Sequence, residues 1–276
     1  MSKHVITKAK PKTTTKKASI PEIPILYEDK DIVAINKPAG LMVHPDGRDP
    51  GPFLTDWVAK KFPLTASKKV GEPITGYDGV SILRPGIVHR LDRETSGVIL
   101  VAKTAKGHAH LKQQFKDRTI KKKYRAFVWG ELDEEFGTID RPIGRSSSDF
   151  RKWSAQRGAR GIVRAAETYW TKLGEGIGDV AVSENAPNGR ASFSFIEAEP
   201  KTGRTHQIRV HFVAIQHPVV GDSLYGPKRP EALGFKRTAL HAYSIDFENC
   251  VGKRVKVEAP FPADFVKAGK EIGVKL

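Results

Sequence analysis

The chain is expected to fold as a mixture of strands and helices, because strand-like and helix-like patterns share one sequence. Short apolar runs alternate with a period of two at several points, as half-buried strands do. Other stretches repeat their apolar residues at helical spacing. With 276 residues and 39% hydrophobic content, the chain is long enough to bury a sizeable core, and one large domain over 21–276 is favoured over two small ones.

Residues 1 to 20 carry Lys3, Lys8, Lys10, Lys12, Lys16 and Lys17 with no acidic residue, so they are expected to form a flexible basic arm. From Ile25, two apolar runs flank the charged turn Glu28-Asp29-Lys30-Asp31, which predicts a β-hairpin. Lys37 to Pro45 is a loop set by Pro38 and Gly40. Leu54, Trp57, Val58 and Lys61 then share a helical face. The Gly-, Pro- and Lys-rich stretch from about 63 to 84 reads as loop.

The chain is organised around His89-Arg90-Leu91-Asp92-Arg93-Glu94-Thr95-Ser96-Gly97, which runs directly into Val98-Ile99-Leu100-Val101-Ala102. A buried strand of that kind holds a preceding loop rigidly. Asp92 lies between Arg90 and Arg93, and nearby cations keep a carboxylate ionised. On these residues alone, a surface ion pair and a functional carboxylate are both open.

Thr104 is placed to cap a helix reaching about Lys116, in which His108 and His110 face different sides and share no metal. Lys121 to Gly130 is a basic cluster running into an alternating strand, with Tyr124 on the inward face beside Ala126 and Val128. Further on, Arg164 to Trp170 reads as a strand and Gly174 to Gly178 as a turn. Arg145, Arg151, Lys152, Arg157, Arg160 and Arg164, interleaved with Phe150 and Trp153, suit phosphate pairing and base stacking, or a plain basic loop. Ala191 to Glu199 alternates, with Phe193 and Phe195 on one face.

Lys201 to about Gln216 has helical spacing, and Arg209 shares a face with Phe212 and Val213. A buried arginine needs a carboxylate, for which Asp92 is the candidate; the alternative is an arginine whose head stays in water. After the turn-rich His217 to Gly226, Leu240 to Phe247 alternates as a strand and Pro262 to Lys270 closes as a helix.

The formal charge of +16 and a pI near 9.8 favour a polyanionic partner, RNA or DNA first. No apolar run reaches membrane-spanning length, no signal-peptide core follows Met1, and the single Cys250 excludes an internal disulfide framework, so the cytoplasm is expected. There is no HExxH, no CxxC, no GxxxxGK[ST] and no GxSxG, which removes the commonest zinc, P-loop and hydrolase readings.

Four segments together resemble the RluA-type RNA pseudouridine synthases: KPAGLMVHP (37–45), HRLDRETSG (89–97), KKYRAFVWG (122–130), and KTGRTHQIRVHF (201–212) continuing into HPVVGDSLYG (217–226). That resemblance implies an α+β fold with a mixed, largely antiparallel sheet flanked by helices, and isomerisation of uridine to pseudouridine in rRNA or tRNA. It implies Asp92 as the catalytic aspartate, Tyr124 against the target base, Arg209 as the cation beside Asp92, and Arg90 as the residue filling the gap left by a flipped base. Arg93, Lys37, His44, Arg204 and His206 are the further expected RNA contacts. Neither metal nor cofactor is implied, and a monomer is expected. The residues before Ile25 are too few for the small RNA-binding domain that larger members carry. A noncatalytic RNA chaperone on the same fold and a DNA-binding module are the competing readings.

Overall fold

In a computed structural model of the chain, the described residues are 20–45, 49, 51–66, 70–71, 73–75, 81–156, 159–182 and 188–276. The expected basic arm lies outside them except for Ile20, as does Arg157. Nine strands make the main sheet: β1 Ile25–Glu28, β2 Ile32–Lys37, β3 Ser96–Ala102, β4 Lys121–Trp129, β5 Phe136–Asp140, β6 Glu167–Asp179, β7 Arg190–Pro200, β8 Leu240–Glu248 and β9 Arg254–Glu258. Their spatial order is β1-β2-β3-β8-β4-β7-β6-β5, with β9 paired to β8. Every pairing is antiparallel except β3 with β8, which run parallel and meet at Ser96 with His241 and at Gly97 with Ala242.

β8 contributes to two apolar clusters. One gathers around Phe127, Phe193, Phe195, Phe212 and Phe265, a second around β2, β3, Leu111 and Phe247, and a smaller third around Ile143, Ala155, Ala166 and Val210. Tyr124 packs against the first two. Gly97 has φ +111°, and a Cβ there would stand 2.2 Å from the Ala242 carbonyl, so the close approach of the two strands requires glycine. Four helices complete the fold: α1 Leu54–Lys61, α2 Ala105–Asp117, α3 Gln207–Ala214 and α4 Ala263–Glu271. Thr104 caps α2, its hydroxyl accepting the Gly107 N–H. His108 and His110 diverge as expected: His108 is buried, whereas His110 donates to the Glu248 carbonyl.

Three sequence expectations are corrected. Gly174 to Gly178 is no turn but the middle of β6. The glycines alternate on the face covered by the C-terminal segment, where a Cβ at Gly176 would lie 2.3 Å from the Ile272 carbonyl. They mark a close backbone approach, not a break. Arg164 to Trp170 is also not continuous: Arg160–Arg164 pairs with Ile143–Arg145, which pairs in turn with Trp153–Ser154, in a separate small sheet, and β6 starts at Glu167. Finally, α3 begins at Gln207, since His206 sits in the left-handed region at φ +57° and ends any helical path from Lys201.

Candidate active site

The charged loop before β3 is strapped at both ends. Residue 86 accepts the Ala102 N–H (2.8 Å), Ile87 bridges to Val101, and His89 Nε2 accepts the Leu100 N–H at 2.9 Å. The imidazole of His89 is half-buried and neutral, its pKa pushed down to about 3 by desolvation and by Lys122. Beyond Asp92 the chain turns sharply, with the Thr95 N–H on the Asp92 carbonyl (3.2 Å).

Lys37 closes the other side of this loop. Its ammonium is fully buried and donates to the carbonyls of Pro38 (2.8 Å), Leu41 (2.8 Å) and Arg93 (3.1 Å). All three donors are used inside the protein, so the expected RNA contact at Lys37 is corrected: it staples two loops together. Burial pushes its pKa down to about 7, against the pull of Asp92 and Glu94.

Asp92 keeps 19% of its side chain exposed. Its Oδ2 accepts from Arg209 Nη1 at 3.0 Å, and its Oδ1 stands 3.8 Å from His206 Nε2. Burial alone would raise its pKa; His206 when protonated, then Arg209 and Arg90, more than offset that and hold the carboxyl below its ordinary value. The anion is therefore the resting form.

Arg209 does reach Asp92, but it is held first by another acid. Nε and Nη2 donate to Asp222 Oδ2 (2.6 Å) and Oδ1 (2.8 Å), a two-pronged pair with an Asp222 side chain that has no exposed surface. Asp222 Oδ1 also accepts the N–H groups of Leu224 and Tyr225. Burial opposes the charge on Arg209, yet the two carboxylates raise its pKa, so the guanidinium stays charged. Sequence reasoning passed over Asp222; its signal was an acidic residue in HPVVGDSLYG with no assigned partner.

A pocket opens over Asp92, lined among others by His89, Arg90, Tyr124, Arg204, His206 and Arg209. Tyr124 is thus brought to the same opening as Asp92 and Arg209. Burial and the Asp92 charge raise its pKa, so its hydroxyl is protonated. Arg90 is exposed at the rim, where Asp92 separates this pocket from a second hollow lined by Met42, Val43, His44, Arg93 and Leu224. His44 is buried in that hollow with Nδ1 on the Pro45 carbonyl, and Arg93 is tied to Gly40 and Asp49.

Arg204 stands where the pocket continues into two grooves. One carries Lys116, Arg118, Lys122 and Lys201; the other carries Arg145, Arg164 and Trp153, with the Arg145 guanidinium 4.2 Å over the Trp153 ring. Among the described residues, Lys116, Arg118, Lys122, Arg164 and Arg204 form no ion pair. Other cations near the sheet are paired, Lys123 and Arg125 with Glu197 and Arg237 with Asp264. Burial, Arg118 and Lys201 push Lys122 down to about 8, as expected where cations crowd without an acid.

Among the described residues no group of His, Cys, Asp or Glu is arranged to hold a metal ion, and no helix is long and apolar enough to cross a membrane. The fold is an α+β sheet that holds a clamped carboxylate under a basic opening. Residues 31–214 match the family described as RNA pseudouridylate synthase. The uncharacterized RNA pseudouridine synthase YlyB of Bacillus subtilis is 36% identical over 248 residues, covering 89% of this chain and 71% of that protein. Ribosomal large subunit pseudouridine synthase D of Zymomonas mobilis is 36% identical over 247 residues, covering 87% and 69%. The solved structure of human RNA pseudouridylate synthase domain containing 1 is similar with a TM-score of 0.65 and 26% identity, over 90% of this chain and 87% of that one. The chain belongs to the RNA pseudouridylate synthase family, of the RluA type, and is accordingly an isomerase.

Proposed function

We propose that residues 21–276 form one catalytic domain that converts specific uridines of ribosomal RNA to pseudouridine, with Asp92 as the reacting carboxylate. The observation that carries this reading is the ionised Asp92, clamped by Arg209 and open to the same pocket as Tyr124. Ribosomal RNA is favoured over tRNA because two relatives, of Zymomonas mobilis and Xanthomonas campestris, are named for the ribosomal large subunit.

The reaction moves no atom in or out apart from protons. The N1–C1′ bond of the uridine breaks, the uracil turns, a C5–C1′ bond forms, C5 gives up its hydrogen and N1 gains one. Asp92 promotes the first cleavage as an anionic nucleophile or stabiliser. Arg209 keeps it ionised and oriented, and Tyr124 offers a flat surface to the extruded base and a hydroxyl to the migrating proton. Arg90 fills the space the base vacates. The unpaired cations of the two grooves are spaced to take phosphates on either side of the target.

The test is release of tritium from ribosomal RNA labelled at uridine C5 and lacking the modification, with a tRNA arm alongside. Intact protein releases tritium and Asp92→Ala does not, while both bind RNA alike. No release from either RNA, with tight binding by both proteins, would leave only a noncatalytic RNA-binding protein.

A further inference from the structure

Next to Asp92 lies a hydrogen-bonded chain that the proposed chemistry leaves unused. The Trp153 backbone N–H donates to the Tyr225 hydroxyl at 3.0 Å, and the same hydroxyl lies 2.8 Å from His206 Nδ1. On its other side the imidazole turns Nε2 toward Asp92 Oδ1, 3.8 Å away. Resting on Asp92 as the reacting carboxylate, we infer that Tyr225 is a positioning residue: its hydroxyl holds His206 in the Nε2–H tautomer, which presents Asp92 with a second, uncharged donor.

The tautomer follows from counting hydrogens. A phenol has one hydrogen and two lone pairs. One lone pair takes the Trp153 N–H, and the only further polar partner of the hydroxyl among the described residues is His206 Nδ1. Directing the O–H to Nδ1 satisfies all three groups and leaves the ring proton on Nε2. The opposite tautomer would aim an Nε2 lone pair at an anion and leave the phenol hydrogen without an acceptor.

Backbone conformation supports a role for this side chain. His206 occupies the left-handed region, which is strained for a non-glycine residue and persists where surroundings impose it. Those surroundings are strong. Gln207, the next residue, accepts from Thr202 and the Arg204 N–H, and donates to Glu167 and Thr168. The loop is locked so that residue 206 must face Asp92.

The charged groups around the ring are Asp92 and Arg90 from the loop before β3, Arg209 from α3 and Asp222 beyond it. Burial lowers the pKa of His206; Asp92 and Asp222 oppose this, and Arg209 and Arg90 add to it. A neutral donor is the useful state here. A protonated ring would place a second full cation beside Arg209 on one carboxylate and hold Asp92 in an ion pair when it should react.

Uniform labelling of the histidines of the full chain with nitrogen-15 reads the tautomer directly at pH 7.5, with His206 assigned from the signal missing in His206→Gln. The expected spectrum shows a neutral ring protonated at Nε2. A proton on Nδ1, or on both nitrogens, overturns the inference whether or not the protein isomerises uridine. In Tyr225→Phe, with melting checked to confirm the fold, the ring loses its donor at Nδ1 and becomes more basic. The tautomers then mix, and the acid limb of kcat/KM for tritium release moves to higher pH. Unaltered tautomer and limb in that variant would equally overturn the role of Tyr225. His206→Gln, whose amide N–H reaches the same point, is expected to keep more turnover than His206→Leu. Absence of tritium release by the intact protein would refute the function proposed above while the spectrum still decides the tautomer.

Discussion

Replacing Asp222 by asparagine removes one charge and almost no volume from the site. In the native protein both Asp222 oxygens face Arg209, and Oδ1 also accepts two backbone N–H groups. An asparagine can keep Oδ1 as it is, but its amide then points a donor at the Arg209 Nε. A buried guanidinium then keeps a neutral acceptor at Nη2 and has Asp92 as its remaining carboxylate. Breaking a buried pair by removing one partner costs roughly 3–5 kcal/mol, and the retained acceptor places this variant near the lower end. At about 2–4 °C per kcal/mol for a chain of this size, melting should fall by roughly 6–12 °C. Turnover should fall roughly tenfold or more, because Arg209 is no longer fixed where it meets Asp92. Thermal unfolding and tritium release at saturating RNA measure the two effects. The double variant Asp222→Leu with Arg209→Met separates them: an apolar pair restores much of the melting temperature and none of the activity. Melting within about 1 °C of the native value in Asp222→Asn, with turnover unchanged, would refute the anchoring of Arg209.

Three further outcomes are expected. Gly97→Ala drives a Cβ into the Ala242 carbonyl at positive φ and should lower stability by about 2 kcal/mol or more in a denaturant titration, because backbone and not a flexible side chain is in the way. Arg209→Gln removes a main cause that holds the Asp92 pKa down, so the burial that raises it gains weight. With the folded value raised, the fraction of reactive anion declines at a higher pH than in the native enzyme, and the acid limb of tritium release should move upward. Lys116→Ala with Arg118→Ala should weaken RNA binding and flatten its log–log salt dependence by about 0.7 per lost phosphate contact on a single strand, with kcat unchanged. An unaltered slope would remove that groove from the RNA path.

The legible part of the fold was the part written in local pattern. The hairpin of β1 and β2, the Thr104 cap of α2 and the alternation of β4, β7 and β8 are encoded within a few residues each. What stayed hidden depends on partners far along the chain. Glycines at 174, 176 and 178 look like a turn until Ile272 and Val274 are laid against them. Lys37 looks like a phosphate ligand until three carbonyls from two loops converge on it. At the site, the pairing of Arg209 with Asp92 could be anticipated because a buried cation needs an acid. The second acid could not, since nothing local to Asp222 shows that its side chain turns inward.

The seam between β3 and β8 also bears on how the protein is made. Asp92 and Arg209 are 117 residues apart in sequence, one in the loop before β3 and the other in α3. Leu240 of β8 completes one core, while Ala242, Ile245 and Phe247 of the same strand complete the other. A growing chain that has reached α3 therefore holds both reacting partners and neither finished core. β8, which follows α3 in the chain, lies between β3 and β4 and pairs with both. Long-range closure of this kind makes folding slow relative to local helix formation.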